Sequence, residues 1–562
     1  MKVKNKILIT LIIFASLVII SLVLLYFFYE NEVRLIGNNF KFFINSSSNE
    51  LLEEKKRNID ILNYSIDIEL FPEDEKIYSD VKISGVLLNI KSRQIELDFF
   101  DNFQIHLLQL NGRETEYIFD EEKLIIMSEE VISDSFEVRV VYEGSPKNLG
   151  FGSFTFGKKN DHNIIYALNE PVFASTWFPC NDTPSDKALL NMCITNDSGM
   201  VSVSNGKLIS VEEKGKKNTY NWTTLYPIST YLVTIYSAPY KSFSLQYINS
   251  LKDTMDISCF VLPEKYEDAQ SAFSDHPNYL TVFSKLFGEY PFIKEKYGVA
   301  QILWNQGAME SQTITGIGTN LISDAKLFSN ILIHEVAHHW WGNSVTPKSW
   351  KDIWLNEGFA TYSEALYWED VKGFRALLST MASFDVDDES KTLYDPKSKI
   401  FSSMVYNKGA WVLHMLRKEI GDTLFFKTLR NYYKKFEYSN ADTYDFKEIC
   451  EKISQKKLDK FFDQWVFSGK DKIEVEYEWE IIERQSEGKE ISISISQTQD
   501  DYNCYNFPID ILIREVDGSD HLSSHFIESR DTVINVRISN KVSSVELDPD
   551  NWILASFINR TE

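Results

Sequence analysis

Three of the chain's nine histidines fall within six positions, in His334-Glu335-Val336-Ala337-His338-His339. A His-Glu-x-x-His run places two imidazoles four residues apart. On a helix such positions share a face, with β-carbons about 5–6 Å apart, so His334 and His338 can reach one metal ion. Glu335 lies beside them, able to hold a water and take its proton without ligating the metal. A tetrahedral catalytic zinc takes three protein ligands and keeps one position open, so a third donor is needed. Glu357, in Trp354-Leu355-Asn356-Glu357-Gly358-Phe359-Ala360, is the candidate. Eighteen residues separate it from His338, enough for a turn and one returning helix. Glu364, seven positions further on, falls on the same face, where a carboxylate can accept the free N–H of a ligand imidazole and fix its tautomer. His339 points off the ligand face and reads as structural. One Zn²⁺ held by His334, His338 and Glu357 lowers the pKa of water and polarises a carbonyl. Glu335 then takes a proton and delivers it to the leaving amine, and the oxyanion requires a second donor. This is the chemistry of peptide-bond hydrolysis. The spacing by itself does not separate an exopeptidase from an endopeptidase.

The elements that must position these residues follow from hydrophobic period. Leu327 to Trp341 is helix-compatible and Gly342 can end it; Trp354 to Asp370 is the returning helix. Tyr279 to Phe287 and Gly409 to Ile420 also have helical spacing, so residues 263–470 read as a mainly helical catalytic domain. Upstream the period is two. Tyr64, Ile66, Ile68 and Leu70 alternate with Ser65, Asp67 and Glu69, and short strands such as Phe136 to Val141 and Tyr231 to Ile235 recur between turn signals such as Asn111-Gly112 and Asn205-Gly206. Residues 62–262 therefore read as a β-sandwich-like domain. Alternation returns at Val475, Tyr477 and Trp479 and at Ile491, Ile493 and Ile495, giving a smaller β-sandwich over 471–562. The fold class expected is multidomain α+β, with no internal repeat.

The chain of 562 residues is 43% hydrophobic and 25% charged, a globular composition with room for about three domains. Lys and Arg total 58 against 82 Asp and Glu, a net charge of −24, which is the wrong sign for nucleic acid. Five scattered cysteines with no Cys-x-x-Cys argue against a disulfide scaffold or a thiolate zinc site. Residues 7–29 form an apolar run broken only by Thr10, Ser16 and Ser21, long enough as a helix to span a bilayer. Lys2, Lys4 and Lys6 precede it, so residues 1–6 are expected to be a cytoplasmic tail and the rest of the chain to lie outside the cell. A signal peptide usually has a shorter apolar core and a small-residue cleavage site, which this run lacks. The reading is a single-pass cell-membrane anchor at 7–29 followed by a juxtamembrane stalk at 30–61.

Several motifs resemble the zinc aminopeptidases of the gluzincin, or aminopeptidase N, family. Gly307-Ala308-Met309-Glu310-Ser311 is similar to that family's Gly-Ala-Met-Glu-Asn motif, with Ser311 in place of Asn. Trp177-Phe178-Pro179-Cys180-Asn181-Asp182, followed by Pro184-Ser185-Asp186-Lys187-Ala188, resembles its N-domain signature, and Val405-Tyr406-Asn407-Lys408-Gly409-Ala410 its tyrosine motif. The resemblance runs from about Tyr64 to Trp465. It implies a thermolysin-like catalytic domain and peptide substrates with a free N-terminus. Glu310 would grip the substrate's α-ammonium, with Glu170 as a second acid; Met309 and the region around Glu170 would line the first side-chain pocket. Tyr406 would donate to the oxyanion, and Gly307 and Ala308 would pair with the substrate backbone along a strand edge. The large C-terminal helical domain of many members has no counterpart up to Glu562, which predicts a more open cleft. Two other readings stand beside this one. A related epoxide hydrolase needs an acid shortly before the tyrosine, and Ser398 stands eight positions before Tyr406. A peptide-binding pseudoenzyme would lose ligands or the base, all of which are present.

Overall fold

A computed structural model describes residues 57–561 except 90, 121, 133, 150–152, 305–306, 324, 387–391, 471, 485–487 and 501. The expected tail, anchor and nearly all of the stalk therefore lie outside the described residues. Among the described residues no helix is long and apolar enough to cross a membrane.

The described chain opens with strands β1 (Ile59–Phe71) and β2 (Lys76–Leu87), paired antiparallel from Ile59↔Leu87 to Phe71↔Lys76. As the alternation predicts, Tyr64, Ile66, Ile68 and Leu70 of β1 face the core. They sit in a nine-stranded sheet in which β3 (Ser135–Gly144) flanks β2 and β4 (Lys187–Asp197) runs parallel to β1. A four-stranded sheet that includes His162–Leu168 and Ile235–Ala238 adds a further layer. Asn111 and Gly112 both adopt positive φ, 51° and 78°, which makes the expected tight turn. The strand expected over Tyr231 to Ile235 is instead a short 3-10 turn, Thr230–Leu232, that precedes the strand at Ile235. All of these residues are buried, so no polar face marks the change of conformation; Asn205 holds it through Thr234 N and Leu232 O.

A five-stranded sheet comes next. Lys241–Ile248 pairs with β5 (Thr254–Val261), followed in spatial order by β6 (Tyr297–Ile302), β8 (Thr315–Gly318) and, at the edge, the two-residue β7 (Ala308–Met309). The boundary expected at 262/263 falls inside this sheet. β6 and β8 are buried along their whole length, so they carry no alternation to betray them in a segment read as helical. Helices α1 (His276–Phe287), α2 (Ser329–Ala337), α3 (Trp354–Lys372), α4 (Gly409–Ile420) and α5 (Asp422–Phe436) pack beside it. The C-terminal part consists of a four-stranded and a three-stranded sheet between Ile473 and Asn559. Ile491, Ile493 and Ile495 point into its core, as their spacing predicts.

Two histidines remote from the metal-type cluster are buried as neutral rings. Burial holds the His276 imidazole down at about 4 and the His414 imidazole at about 3. In the unfolded chain both titrate near 6.5, so the unfolded state binds protons first as the pH falls. The stability these rings contribute is complete above about pH 6.5 and is lost on acidification towards their native values. Moving from pH 7 to pH 5 is expected to cost about 2 kcal/mol for each ring. Urea unfolding at the two pH values checks this: His414→Gln should lose less stability on acidification than the wild type.

Candidate active site

Helix α2, the residue that caps it and helix α3 place His334, His338 and Glu357 together. Glu357 Oε2 lies 3.3 Å from His334 Nε2 and 3.4 Å from His338 Nε2, and the three donor atoms fall within 4.8 Å of one another. The opposite ring nitrogens are occupied. His334 Nδ1 meets Glu364 Oε1 at 3.0 Å, and His338 Nδ1 meets Asn356 Oδ1 at 2.9 Å and Trp341 O at 3.0 Å. Acceptors at Nδ1 hold a proton there, so that a metal displacing the Nε2 protons would meet both Nε2 lone pairs beside the Glu357 carboxylate. Glu364 thus stands where the sequence placed it. Asn356 was not foreseen; a neutral amide next to Glu357 gives no signal apart from its position on the helix.

The charges point the same way. Burial opposes the Glu357 carboxylate, but His338 and His334 outweigh it and hold its carboxyl down at about 2. Burial also opposes the His338 imidazolium, yet Glu310 and Glu357 push that ring well above its ordinary value. The cluster is built around positive charge, and two imidazoles with one carboxylate suit a tetrahedral zinc with one open position.

The helix expected to run to Trp341 ends at Ala337. The backbone widens there into a turn in which Asn343 N, Ser344 N and Val345 N donate to His338 O, His339 O and Trp340 O. Gly342 sits in this turn at φ 126°, and a Cβ there would lie 2.0 Å from Asn356 Oδ1. His339 is structural, as expected: its Nδ1 meets Glu335 O at 3.2 Å and its ring packs edge-on against Tyr297.

Glu335 lies on α2 between the two histidines. Its Oε2 is buried without a hydrogen-bond partner, and burial raises its carboxyl against the pull of His338. Glu310 directly follows β7, and Glu170 follows the strand His162–Leu168. Together with Glu357 these residues bring three buried carboxylate oxygens within 4.8 Å of one another. Burial raises both Glu170 and Glu310, and for Glu170 its neighbour Glu310 adds to the rise. Glu170 Oε1 is a second buried oxygen with no partner. Tyr406 lies in a π-helical turn, Met404–Lys408, that leads into α4, and its ring stacks on His334 with centroids 5.9 Å apart. Burial keeps its phenol well above the ordinary value, so it stays a proton-bearing donor at neutral pH. Ala308 and Met309 form the edge strand β7, antiparallel to β8, while Gly307 lies against the Trp304 indole, where a Cβ would sit 1.9 Å from the ring.

Contact between the ligand helix and the tyrosine helix depends on two glycines. A Cβ on Gly358 would stand 2.7 Å from Gly409 Cα, and one on Gly409 would stand 2.7 Å from Gly358 Cα. Backbone meets backbone there, one residue from Glu357 and three from Tyr406. Gly358→Ala is expected to cost roughly 1–3 kcal/mol and to lower turnover by spreading α3 from α4. A thermal melt and a zinc assay on the variant check this, with an unchanged melting temperature counting against the contact.

His334, His338 and Glu357, with Glu335, Glu170, Glu310, Glu364, Ala308, Met309 and Tyr406, line a cavity of about 560 Å³. Its walls are Trp304, Ile331, Thr361, Phe384 and Phe401, none of which the sequence marked, because they reach it from separate loops and helices.

A model of the peptidase M1 N-terminal domain matches residues 61–232, and a model of the peptidase family M1 domain matches residues 272–465. The chain belongs to peptidase family M1. It is 25% identical over 413 residues to a probable aminopeptidase 1 of Sulfurisphaera tokodaii, covering 69% of this chain and 51% of that protein. It is 32% identical over 301 residues to endoplasmic reticulum aminopeptidase 2 of Bos taurus, covering 49% of this chain and 31% of the other. The matched stretch spans 51% and 31% of the length of these two relatives. Among solved structures, Legionella pneumophila aminopeptidase A in complex with aspartic acid superposes with a TM-score of 0.80 at 17% identity, over 91% of this chain and 61% of that one. A mutant M1 zinc metallopeptidase of Deinococcus radiodurans bound to a Tyr-Ser-Ala substrate gives 0.66 at 23% identity, over 74% and 95%. At these identities the likeness is one of fold.

Proposed function

We propose that this M1 peptidase is a zinc-dependent aminopeptidase that removes N-terminal residues from peptides with a free amine. The observation that carries the reading is the acidic box of Glu170, Glu310 and Glu357 set directly against the His334–His338–Glu357 cluster. Three buried carboxylates beside one another favour a cation, and a peptide's N-terminal ammonium supplies one next to the first peptide bond. His334, His338 and Glu357 would hold the zinc, which when bound supplies a Lewis acid that polarises a carbonyl and lowers the pKa of water. Glu335 accepts the proton of the attacking water at its free Oε2 and passes it to the departing nitrogen. Tyr406 donates its O–H to the carbonyl oxygen as charge develops there. Glu310 and Glu170 hold the ammonium, and the edge strand at Ala308 aligns the substrate backbone. With Gly307 and Met309 beside it, this makes the first binding position. Retention of the base and the whole ligand set speaks against a role in peptide binding alone.

The expected anchor is part of the proposal. The apolar run at 7–29 behind Lys2, Lys4 and Lys6 supports a single-pass membrane protein with its catalytic part outside the cell. A division into units at 62–262, 263–470 and 471–562 accompanies it, with the five-stranded sheet bridging the first boundary.

The test uses the full chain in detergent on paired aminoacyl amides, each with a free and an acetylated N-terminus, with and without a chelator. Chelator-sensitive cleavage of the free-amine set only is expected. Equal cleavage of acetylated substrates would replace the reading with an endopeptidase.

A further inference from the structure

The Pro184-Ser185-Asp186-Lys187-Ala188 stretch has no part in the chemistry described so far, yet Lys187 reaches from the first position of β4 to the exit of the ligand helix. Its ammonium donates to two main-chain carbonyls, Asn343 O at 2.9 Å and Ser344 O at 2.8 Å. Both belong to the wide turn that closes α2, whose amides return to His338 O and His339 O. Tyr231 OH, from the same N-terminal part of the chain, donates to Gly342 O at 3.1 Å in that turn. Asn343 then reaches across: its Nδ2 donates to the main-chain oxygen of Glu310 at 2.6 Å. Asn343 is wholly buried, and its bond steadies the main chain of Glu310 just beyond β7, a strand of only two residues at a sheet edge, while the Glu310 carboxylate accepts from Asn356 Nδ2 at 3.4 Å.

Lys187 is half-buried, with no carboxylate in ion-pair contact among the described residues, and desolvation draws its amine down to about 7, so its charge is costly to keep there. A folding role alone is served more cheaply by an apolar side chain, whereas the fork of two carbonyls fixes the turn in one place. We infer that Lys187 is a positioning residue for substrate recognition: it seats the 342–344 turn, and through Asn343 that turn sets where Glu310 meets the substrate's ammonium. The inference rests on the aminopeptidase reading above.

The test uses the zinc-loaded full chain and three variants, Lys187→Met, Asn343→Ala and the double variant. Two probes are used: an aminoacyl amide with a free amine, and acetohydroxamate, which binds zinc but has no amine. Each single variant is expected to raise KM for the amide about tenfold with kcat within about twofold. The inhibition constant of acetohydroxamate and the zinc content should not move. Because the two residues act along one path, the double variant should be no worse than the weaker single variant, rather than losing the product of both. An unchanged KM in either single variant overturns the inference. So do independent losses that multiply, or a hydroxamate constant that rises in step with KM. If Lys187→Met fails to fold, Asn343→Ala decides alone by the same split between the two probes. A wild-type enzyme that treats free and acetylated amides alike would instead overturn the aminopeptidase reading.

Discussion

Glu335→Gln is expected to lower kcat by about 10³–10⁴-fold while the chain keeps its zinc. The substitution preserves size and shape and removes the carboxylate that lies between the two histidines with an unpartnered oxygen to take a proton. Glu335 contributes nothing to the His334–His338–Glu357 cluster, so metal content should match the wild type. Its Oε2 has no partner to lose, and burial already disfavours its charge, so the fold should tolerate the amide well. Single-turnover kinetics together with elemental analysis for zinc make the measurement. Turnover within tenfold of the wild type would remove Glu335 from the mechanism. Loss of zinc would recast it as a ligand or as support for one.

Glu310→Ala should act on a different quantity. With the box of Glu170, Glu310 and Glu357 opened, kcat/KM for a free-amine substrate is expected to fall by about 10²–10³-fold, corresponding to roughly 3–4 kcal/mol. Most of the loss should appear in KM, because a carboxylate that grips the ammonium does so before and during bond cleavage alike. Preference for free over acetylated amides should shrink by a similar factor, since the variant lacks the group that distinguishes them. A variant that keeps full preference would transfer amine recognition to Glu170. The two substitutions are thus separable by probe: one removes the chemistry and leaves binding, the other weakens binding of one end of the substrate.

The metal-type cluster was the most legible part of this chain. Four-residue spacing on a helix is a local rule, and Glu357 and Glu364 follow on the next helix at a spacing of seven, two turns that return to the same face. Glu170, Glu310 and Tyr406 are brought to attention only by resemblance, because sheet pairing and helix packing bring them in from 164 positions before His334 to 72 after it. Asn356, Asn343 and the reach of Lys187 were invisible for the same reason: an amide or an ammonium reveals its partner only once the chain has folded. For the fold, alternation located β1 and the isoleucine strands near the C-terminus. It failed at β6, at β8 and at the Thr230–Leu232 turn, where burial on every side leaves no polar face to set a period. The last turn of the ligand helix was overrun because the sequence stays apolar through Trp340 and Trp341 while the backbone has already widened.

The metal donors and their supporting acceptors come from one stretch, two consecutive helices and the turn that closes the first, whereas Glu170, Glu310 and Tyr406 arrive from distant segments. Zinc loading therefore counts molecules in which a single helical hairpin has assembled. Turnover counts only those in which every remote segment has docked as well. A stressed, truncated or incompletely matured population should accordingly separate into two grades, metal-replete and metal-replete-and-working, and the ratio of specific activity to zinc becomes a gauge of how completely the long-range part of the fold has formed.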